Sequence, residues 1–350
     1  MSILTKLGIG FIGCGAYNSS LARAAERSSL LKPIACWDPN SERSREFAQK
    51  HGLHACRTLD ELLALDELEG VVIASPNNAH RANAEAAAEA GKHVFVDKPI
   101  ANTIEDALAI IKAVEGRGLV LAVGHNGRRL AGHRKMKEMI DAGAVGTPVT
   151  VESNFSHSGG LGLTPKQWRF YRDECPALPL MQLGVHFADT VQYLLGNVAE
   201  VSSFMTRIAT PADNDDVTVS LLKFESGVLG YLGSNYASPS VYYVNVYGTG
   251  GNLYCEGGDN LHYRKAGSDK REIIKLTGVD TQLEELEDFA EAIRSGRKCE
   301  VDGEAGLRAL AVVRAALRSN AEGCAVSIDR VISEEAAGIP ATSREPLSSH

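Results

Sequence analysis

Short, unbroken apolar runs separated by alanine-rich or amphipathic stretches fill the first third of the chain. Gly8–Ile12 is such a run; the turn Gly13-Cys14-Gly15-Ala16-Tyr17-Asn18 follows, then a segment of helix formers, Leu21–Arg27. A second run, Pro33–Trp37, ends on Asp38. Residues 41–50 predict a helix with Ser41 as its N-cap, and Asp60–Leu65 begins another. Val71–Ala74 is apolar at every position, as in a strand buried on both faces of a parallel sheet. Ser75-Pro76-Asn77-Asn78 breaks it, and an alanine-rich helix runs to Ala90 and stops at Gly91. His93–Val96 predicts the next strand, with Asp97-Lys98-Pro99 directly after it. Thr103–Arg117 predicts a helix and Leu119–Val123 a last strand. Alternation of this kind, without hairpin signals, predicts a doubly wound parallel α/β sheet over residues 1–124.

After Gly124 the pattern changes. Met136–Ala142 predicts a short helix, and Gly143–Pro148 a turn before the strand Val149–Asn154. Ser158–Pro179 is punctuated by glycine and proline and has little periodicity. Met181–Leu195 reads as one helix stopped by Gly196. Between Val198 and Tyr254, β-rich runs such as Val217–Leu222 and Val241–Tyr247 are spaced by turns, which predicts an antiparallel sheet. Helices over Gln282–Ser295 and Gly303–Glu322 close the fold. The reading is a second α/β domain over 125–335 and a loosely held tail over 336–350.

Composition narrows the class. A chain of 350 residues can hold two cores, and a net charge of −8 gives no support for nucleic-acid or anionic-membrane binding. No apolar run approaches the roughly 20 residues that span a bilayer. The N-terminus enters the first predicted strand almost at once, leaving no room for a signal peptide. Seven scattered cysteines without a Cys-x-x-Cys pair read as reduced thiols in a cytoplasmic protein.

The turn after the first strand is the first candidate site. Gly13 permits a tight turn, Gly15 lets backbone approach a pyrophosphate, and the amides of Ala16 and Tyr17 at the helix start face the phosphates. Asp38, ending the second strand, suits an adenine ribose with both hydroxyls free, which favours NAD over NADP; Arg43 and Arg45 follow soon after and could recruit a phosphate. Asn18 stands where the full fingerprint has its third glycine, so helix and strand are expected to pack less closely. Lys98 follows a parallel strand at its carboxyl end, where open α/β sheets bind ligands and an ammonium can steady a substrate oxygen. Gln182 and His186, four residues apart, fall on one face of the predicted helix. Metal chemistry is not expected: His51-Gly52-Leu53-His54 has no third ligand nearby, and Asp213–Asp216 reads as a solvated loop. No Gly-x-Ser-x-Gly elbow supports a serine hydrolase.

Several of these segments together resemble the Gfo/Idh/MocA oxidoreductases, the glucose–fructose oxidoreductase and inositol dehydrogenase group. The likeness rests on Gly13–Ala16, on Ile73–Asn77 with His80, on Asp97-Lys98-Pro99, on Gly184-Val185-His186, and on Val301–Glu304. It implies an N-terminal Rossmann domain and a C-terminal α/β domain with an open, mostly antiparallel sheet. Relatives often pair these sheets, so a homodimer or homotetramer is implied. The activity implied is NAD(P)-linked oxidation or reduction of a sugar, cyclitol or related hydroxyl compound.

The resemblance also assigns residues. Asp97-Lys98-Pro99 matches a Glu-Lys-Pro motif with a shorter acid, its proline bond often cis in relatives; Asp97 would reach the nicotinamide ribose. Ser75, Pro76, Asn77 and His80 match the loop along the nicotinamide, although His80 could equally cap its helix. In sugar and inositol dehydrogenases of the family, positions 182 and 186 are usually Asp and His. That implies His186 as general acid/base and Gln182 as its orienter or a substrate contact; an amide stabilises imidazolium less than a carboxylate does. His125, Asn126 and Arg128 follow the last Rossmann strand and are expected at the cleft, Asn126 toward cofactor; Arg128-Arg129 as a solvated basic pair is the alternative. Asn154, Trp168, Arg169 and Tyr171 fall in the region that relatives use to line the substrate pocket, where Trp168 could equally be core. Competing readings are a trans-dihydrodiol or aromatic-diol dehydrogenase, a non-catalytic dinucleotide sensor, and the family's NAD-dependent glycosidase branch.

Overall fold

In the structure, a computed structural model, residues 6–338 are described. The chain divides into two compact units. The first runs to Ala101 and adds Asp106–Asn126 and Asp280–Leu307. The second holds Asn102–Glu105, Gly127–Val279 and the described residues from Arg308 onward. The returning stretch from Asp280 thus belongs with the early residues, beyond the boundary expected at 124.

The first unit alternates strand and helix: β1 (Leu7–Ile12), α1 (Ala16–Arg27), β2 (Leu31–Trp37), α2 (Ser41–His51), β3 (His54–Ala55), α3 (Leu59–Leu63), β4 (Gly70–Ile73), α4 (His80–Glu89), β5 (His93–Asp97), α5 (Ile104–Glu115) and β6 (Leu121–Gly124). Its six strands are parallel in the order β3-β2-β1-β4-β5-β6. The order reverses between β1 and β4, the switch point at which such sheets bind ligands. β1, β4 and β6 are buried at every residue, which is why they read as unbroken apolar runs. The N-cap of α2 is Asn40 rather than Ser41: its side chain accepts from the amides of Glu42 and Arg43, both at 3.1 Å. A helix over Thr281–Ser295 completes this unit, with Leu286, Phe289 and Ala290 in the core beside Phe11 and Leu21.

The second unit contains α6 (Ala131–Asp141), β7 (Pro148–Ser156), α7 (Val185–Leu195), β8 (Val198–Thr206), β9 (Val217–Phe224), β10 (Leu229–Asn235), β11 (Val241–Gly248), β12 (Gly251–Glu256), β13 (Asn260–Lys265) and β14 (Glu272–Ile274). With α8 given to the Thr281–Ser295 helix, α9 (Gly303–Glu322), β15 (Val326–Ser327) and α10 (Ile328–Ala336) follow. Nine strands form one sheet, β14-β13-β12-β11-β7-β10-β9-β8-β15. Every pairing is antiparallel except β10 with β7, so the sheet is mixed and mostly antiparallel, as the resemblance implies. α6 begins at Ala131, earlier than the Met136 expected. The expected single helix over 181–195 is instead a π-helical turn, Leu180–Gly184, leading into α7. Of the tail expected over 336–350, residues 339–350 lie outside the described residues.

Candidate active site

At the carboxyl edge of the first unit's sheet, consecutive strands deliver the predicted residues in turn. Gly13 follows β1 with φ of 86°, and a Cβ there would stand 2.9 Å from the Ala74 carbonyl oxygen, so only glycine fits. Gly15 opens α1, which has no side-chain cap and no acid in its first turn, and a Cβ at Gly15 would meet nothing within 4 Å. Open space before an uncapped helix start, with Ala16 exposed, is what a pyrophosphate uses, so the turn fits a dinucleotide.

Asn18 overturns the expectation of looser packing. The side chain is fully buried and its Nδ2 donates to the carbonyls of Gly13 at 2.6 Å and Ile12 at 3.1 Å. An amide thus ties α1 to the end of β1 where the fingerprint glycine would allow close backbone approach. Asp38, at the end of β2, accepts from the amides of Cys14 and Asn40, both at 2.9 Å. The exposed Arg43 guanidinium lies 3.5 Å from its Oδ2.

After β4, Ser75 and Pro76 lead into a short 3-10 turn that begins at Asn77, which is buried. Ser75 Oγ accepts from Asn83 Nδ2 at 3.1 Å. His80 is 1% exposed and does not cap its helix. Its ring faces the carbonyl of Pro99 through Nδ1 at 3.0 Å and that of Ser75 through Nε2 at 3.1 Å. Burial lowers its pKa, partly countered by these carbonyls. His80 thereby links the β4 loop to the turn after β5. Asp97 ends β5, Lys98 is half-buried, and the Lys98–Pro99 bond is cis.

α8 supplies residues that sequence reading missed. Asn126 Nδ2 donates to Thr281 Oγ1 at 3.2 Å, and Ser20 Oγ donates to Gln282 Oε1 at 2.7 Å. The buried Tyr17 hydroxyl is pushed well up by desolvation and by the charges of Glu285 and Asp97. Glu285 is itself 3% exposed. No local signal links residues 281–285 to a glycine turn so far away in sequence; only the core position of α8 does.

One expectation about metals changes. His54, Cys56 and the Glu61 carboxylate present ligand atoms within 4.8 Å of one another, so His54 does have neighbours of ligand type. The cluster sits at the edge strand β3, and burial pushes the Cys56 thiol up to about 11. His51 turns instead to Ser19 at 2.9 Å and Glu26 at 2.7 Å.

In the second unit, His186 stands at the start of α7, half-buried, with its ring centroid 6.0 Å from that of Phe155. Phe155 packs on Phe187 and Tyr242, at 5.9 and 4.7 Å. Gln182 lies in the π-turn, so the regular i, i+4 face expected for Gln182 and His186 is not formed by continuous α-helix. Gln182 is 4% exposed; its Oε1 accepts from Arg169 Nε at 3.0 Å and its Nε2 faces Cys175 Sγ at 3.3 Å. The Arg169 guanidinium stacks over Trp168 at 4.5 Å, and Trp168 is half-buried rather than core. Tyr171 is exposed and donates to the Pro165 carbonyl at 3.1 Å.

Two expected substrate contacts are placed otherwise. Asn154 alternates with Phe155 along β7 and shares a face with Tyr243 and Glu152, away from the face that packs on α7. Arg128 and Arg129 are not a solvated pair, being 9% and 5% exposed. Arg128 grips Asp189 of α7 with both Nε, at 2.9 Å, and Nη2. His125, after β6 in the first unit, is 1% exposed.

Comparison with known proteins agrees with this architecture. A model of an oxidoreductase family with an NAD-binding Rossmann fold matches residues 7–125, and one of the GFO/IDH/MocA C-terminal domain matches residues 133–254. The chain is 25% identical to the 1,5-anhydro-D-fructose reductase of Ensifer adhaerens, over 91% of this chain and 98% of that protein. It is 26% identical to the myo-inositol 2-dehydrogenase of Thermotoga maritima, over 93% and 99%. A crystal structure from Desulfitobacterium hafniense, provisionally described as an NADPH-dependent oxidoreductase, superposes with a TM-score of 0.90 at 35% identity, covering 94% of this chain and 99% of that one. Glycine turn, strand-end lysine and paired domain matches lead to one assignment: the chain belongs to the Gfo/Idh/MocA family of NAD(P)-binding oxidoreductases.

Proposed function

We propose that this protein transfers hydride between NAD(H) and a secondary hydroxyl, or the matching ketone, of a sugar, sugar derivative or cyclitol. The observation that carries the reading is Lys98, directly after β5, on the same sheet edge that presents the open Gly13–Ala16 turn. The names of the relatives, a sugar reductase and a cyclitol dehydrogenase, support the substrate class.

In this reading Gly13, Gly15, Ala16 and Tyr17 hold the pyrophosphate end of the dinucleotide, Asp38 its adenine ribose, and Ser75, Pro76, Asn77, Asp97 and Asn126 its nicotinamide half. The bound nicotinamide supplies the hydride acceptor or donor. Lys98 donates a hydrogen bond to the reacting oxygen and offsets its developing charge. His186 takes or returns the hydroxyl proton, with Gln182 as its support. Asp38, fixed by two backbone amides, disfavours a 2′-phosphate and so favours NAD over NADP.

The protein is further proposed to work as a homo-oligomer. Phe204 is 78% and Leu221 59% exposed, and Phe204 pairs in register with Val219, so β8 and β9 present apolar side chains on an open sheet face. A second copy of that face would cover them.

The test is nicotinamide absorbance with NAD⁺ and NADP⁺ separately against cyclitols, aldoses, glycosides, sugar acids and aromatic diols, run on wild type and Lys98→Met. Turnover of a sugar, sugar derivative or cyclitol with NAD⁺, lost by about 10²-fold or more in Lys98→Met while NADH still binds, is expected. Near-normal turnover by Lys98→Met would sink the role of Lys98; aromatic diols as the only substrates would sink the substrate class.

A further inference from the structure

Arg169 is an exposed cation held in place without a counter-ion. Its Nε is held by the buried Gln182 amide, and its guanidinium carbon lies over the Trp168 ring, 4.5 Å from the centroid. Among the described residues it pairs with no carboxylate. The acids around it in sequence are committed or do not reach: Arg172 pairs with Asp215 at 3.2 Å, Arg207 with Asp213 at 3.6 Å, and neither Asp173 nor Glu174 forms an ion pair. Asp216 is bound by the amides of Ile208, Ala209 and Thr210.

A guanidinium has five N–H donors, of which the Gln182 bond uses one. The two terminal nitrogens are left as a fork, the geometry that binds a carboxylate through two parallel hydrogen bonds. Because Nε and the ring stack already order the side chain, little further conformational freedom is lost when an anion binds. The partner that fixes Arg169 lies in the same continuous segment, 180–195, that carries His186. Desolvation pushes the Tyr236 hydroxyl up to about 12 against the opposing influence of Arg169, which marks the guanidinium as the local positive charge.

We infer that Arg169 is the specificity-determining residue of this enzyme and that its substrate carries a carboxylate: an aldonic or uronic sugar acid rather than a neutral sugar or cyclitol. The inference rests on the oxidoreductase reading above and narrows its substrate class. A carboxylate both fills the fork and neutralises the charge, whereas a hydroxyl of a neutral polyol does only the first.

The NADH-loaded protein is titrated calorimetrically with matched pairs, D-gluconate against sorbitol, D-galacturonate against D-galactose and D-glucuronate against D-glucose. At least one acid should bind about 10- to 100-fold tighter than its neutral partner. Arg169→Gln should abolish that difference with NADH affinity unchanged. Gln182→Glu, which keeps the arginine but sets a carboxylate against it, should weaken the acids as well. No acid-over-neutral difference in any pair, or a difference that survives Arg169→Gln, would overturn the inference. Hydride-transfer assays on the same pairs separate it from the broader reading. Turnover of neutral polyols without acid preference sinks the carboxylate claim alone. Arg169-dependent acid binding, with no hydride transfer by any compound, upholds the anion site and sinks the oxidoreductase chemistry.

Discussion

Replacing Arg128 by methionine would leave the Asp189 carboxylate, 1% exposed, without the guanidinium that grips both its oxygens. The side chains are 10% and 1% exposed, so solvent screens the pair little, and removing one member of such a pair costs about 3–5 kcal/mol. The Arg128 guanidinium also lies 5.2 Å from the centroid of the Tyr193 ring, an interaction of about 0.5–2 kcal/mol that methionine would not keep. Against a typical domain stability of about 5–15 kcal/mol the loss is large. Urea unfolding of Arg128→Met should therefore show a clearly lower midpoint at an unchanged slope.

The companion variant decides the cause. With Asp189→Leu added, no charge is stranded, and the double variant should recover to within about 1 kcal/mol of wild type. Activity should follow, because the turn that carries Arg128 backs onto the proposed acid/base: a Cβ at Gly127 would stand 3.8 Å from His186 Nδ1 and 3.4 Å from Thr190 Oγ1. A cost below about 1 kcal/mol for Arg128→Met, or a double variant no better than the single, would refute the assignment of this pair as the tie between that turn and α7.

Stability should also fall with acid through His133, which burial holds at about 4 while its Nδ1 faces the Gly127 carbonyl at 2.7 Å. The folded state binds fewer protons than the unfolded one between pH 6.5 and 4, so the stability present above 6.5 is lost progressively below it, up to about 3 kcal/mol; a His133→Gln protein should lack that part of the urea-midpoint profile. Asn18→Asp turns a donor into a carboxylate facing the Ile12 and Gly13 carbonyls and should cost about 2 kcal/mol or more, with weaker NADH binding by fluorescence; an unchanged Tm would count against the role given to its amide. Asp38→Ser should lower kcat/KM for NAD⁺ by about 10-fold or more and raise the relative rate with NADP⁺, since Arg43 stays beside the vacated carboxylate position; equal losses with both cofactors would argue against Asp38 as the selector.

The first unit was readable because its sheet is parallel. Strands buried on both faces, such as Val71–Ile73, show as unbroken apolar runs, and residues that follow them fall on one edge by topology alone. Lys98 and Asp38 could be placed in this way. What could not be read depended on pairings distant in sequence. Leu286 and Phe289 announce an apolar helix face but not which core accepts it, so Thr281, Gln282 and Glu285 were missed. Asn154 and Phe155 are adjacent, and only the strand register decides which faces α7. Two departures are the most instructive, one from the dinucleotide-binding fingerprint and one from the family pattern. Asn18 in place of a glycine, and Gln182 in place of an acid, look from sequence like losses of packing and of charge. In the structure each is buried and each has specific partners: strand carbonyls for Asn18, Arg169 and Cys175 for Gln182. A broken local rule that comes with new, directed hydrogen bonds is a substitution with a structural purpose. At Gln182 the proposed carboxylate site gives that purpose a function: an acid there would neutralise Arg169, whereas the amide would leave its charge for a substrate anion.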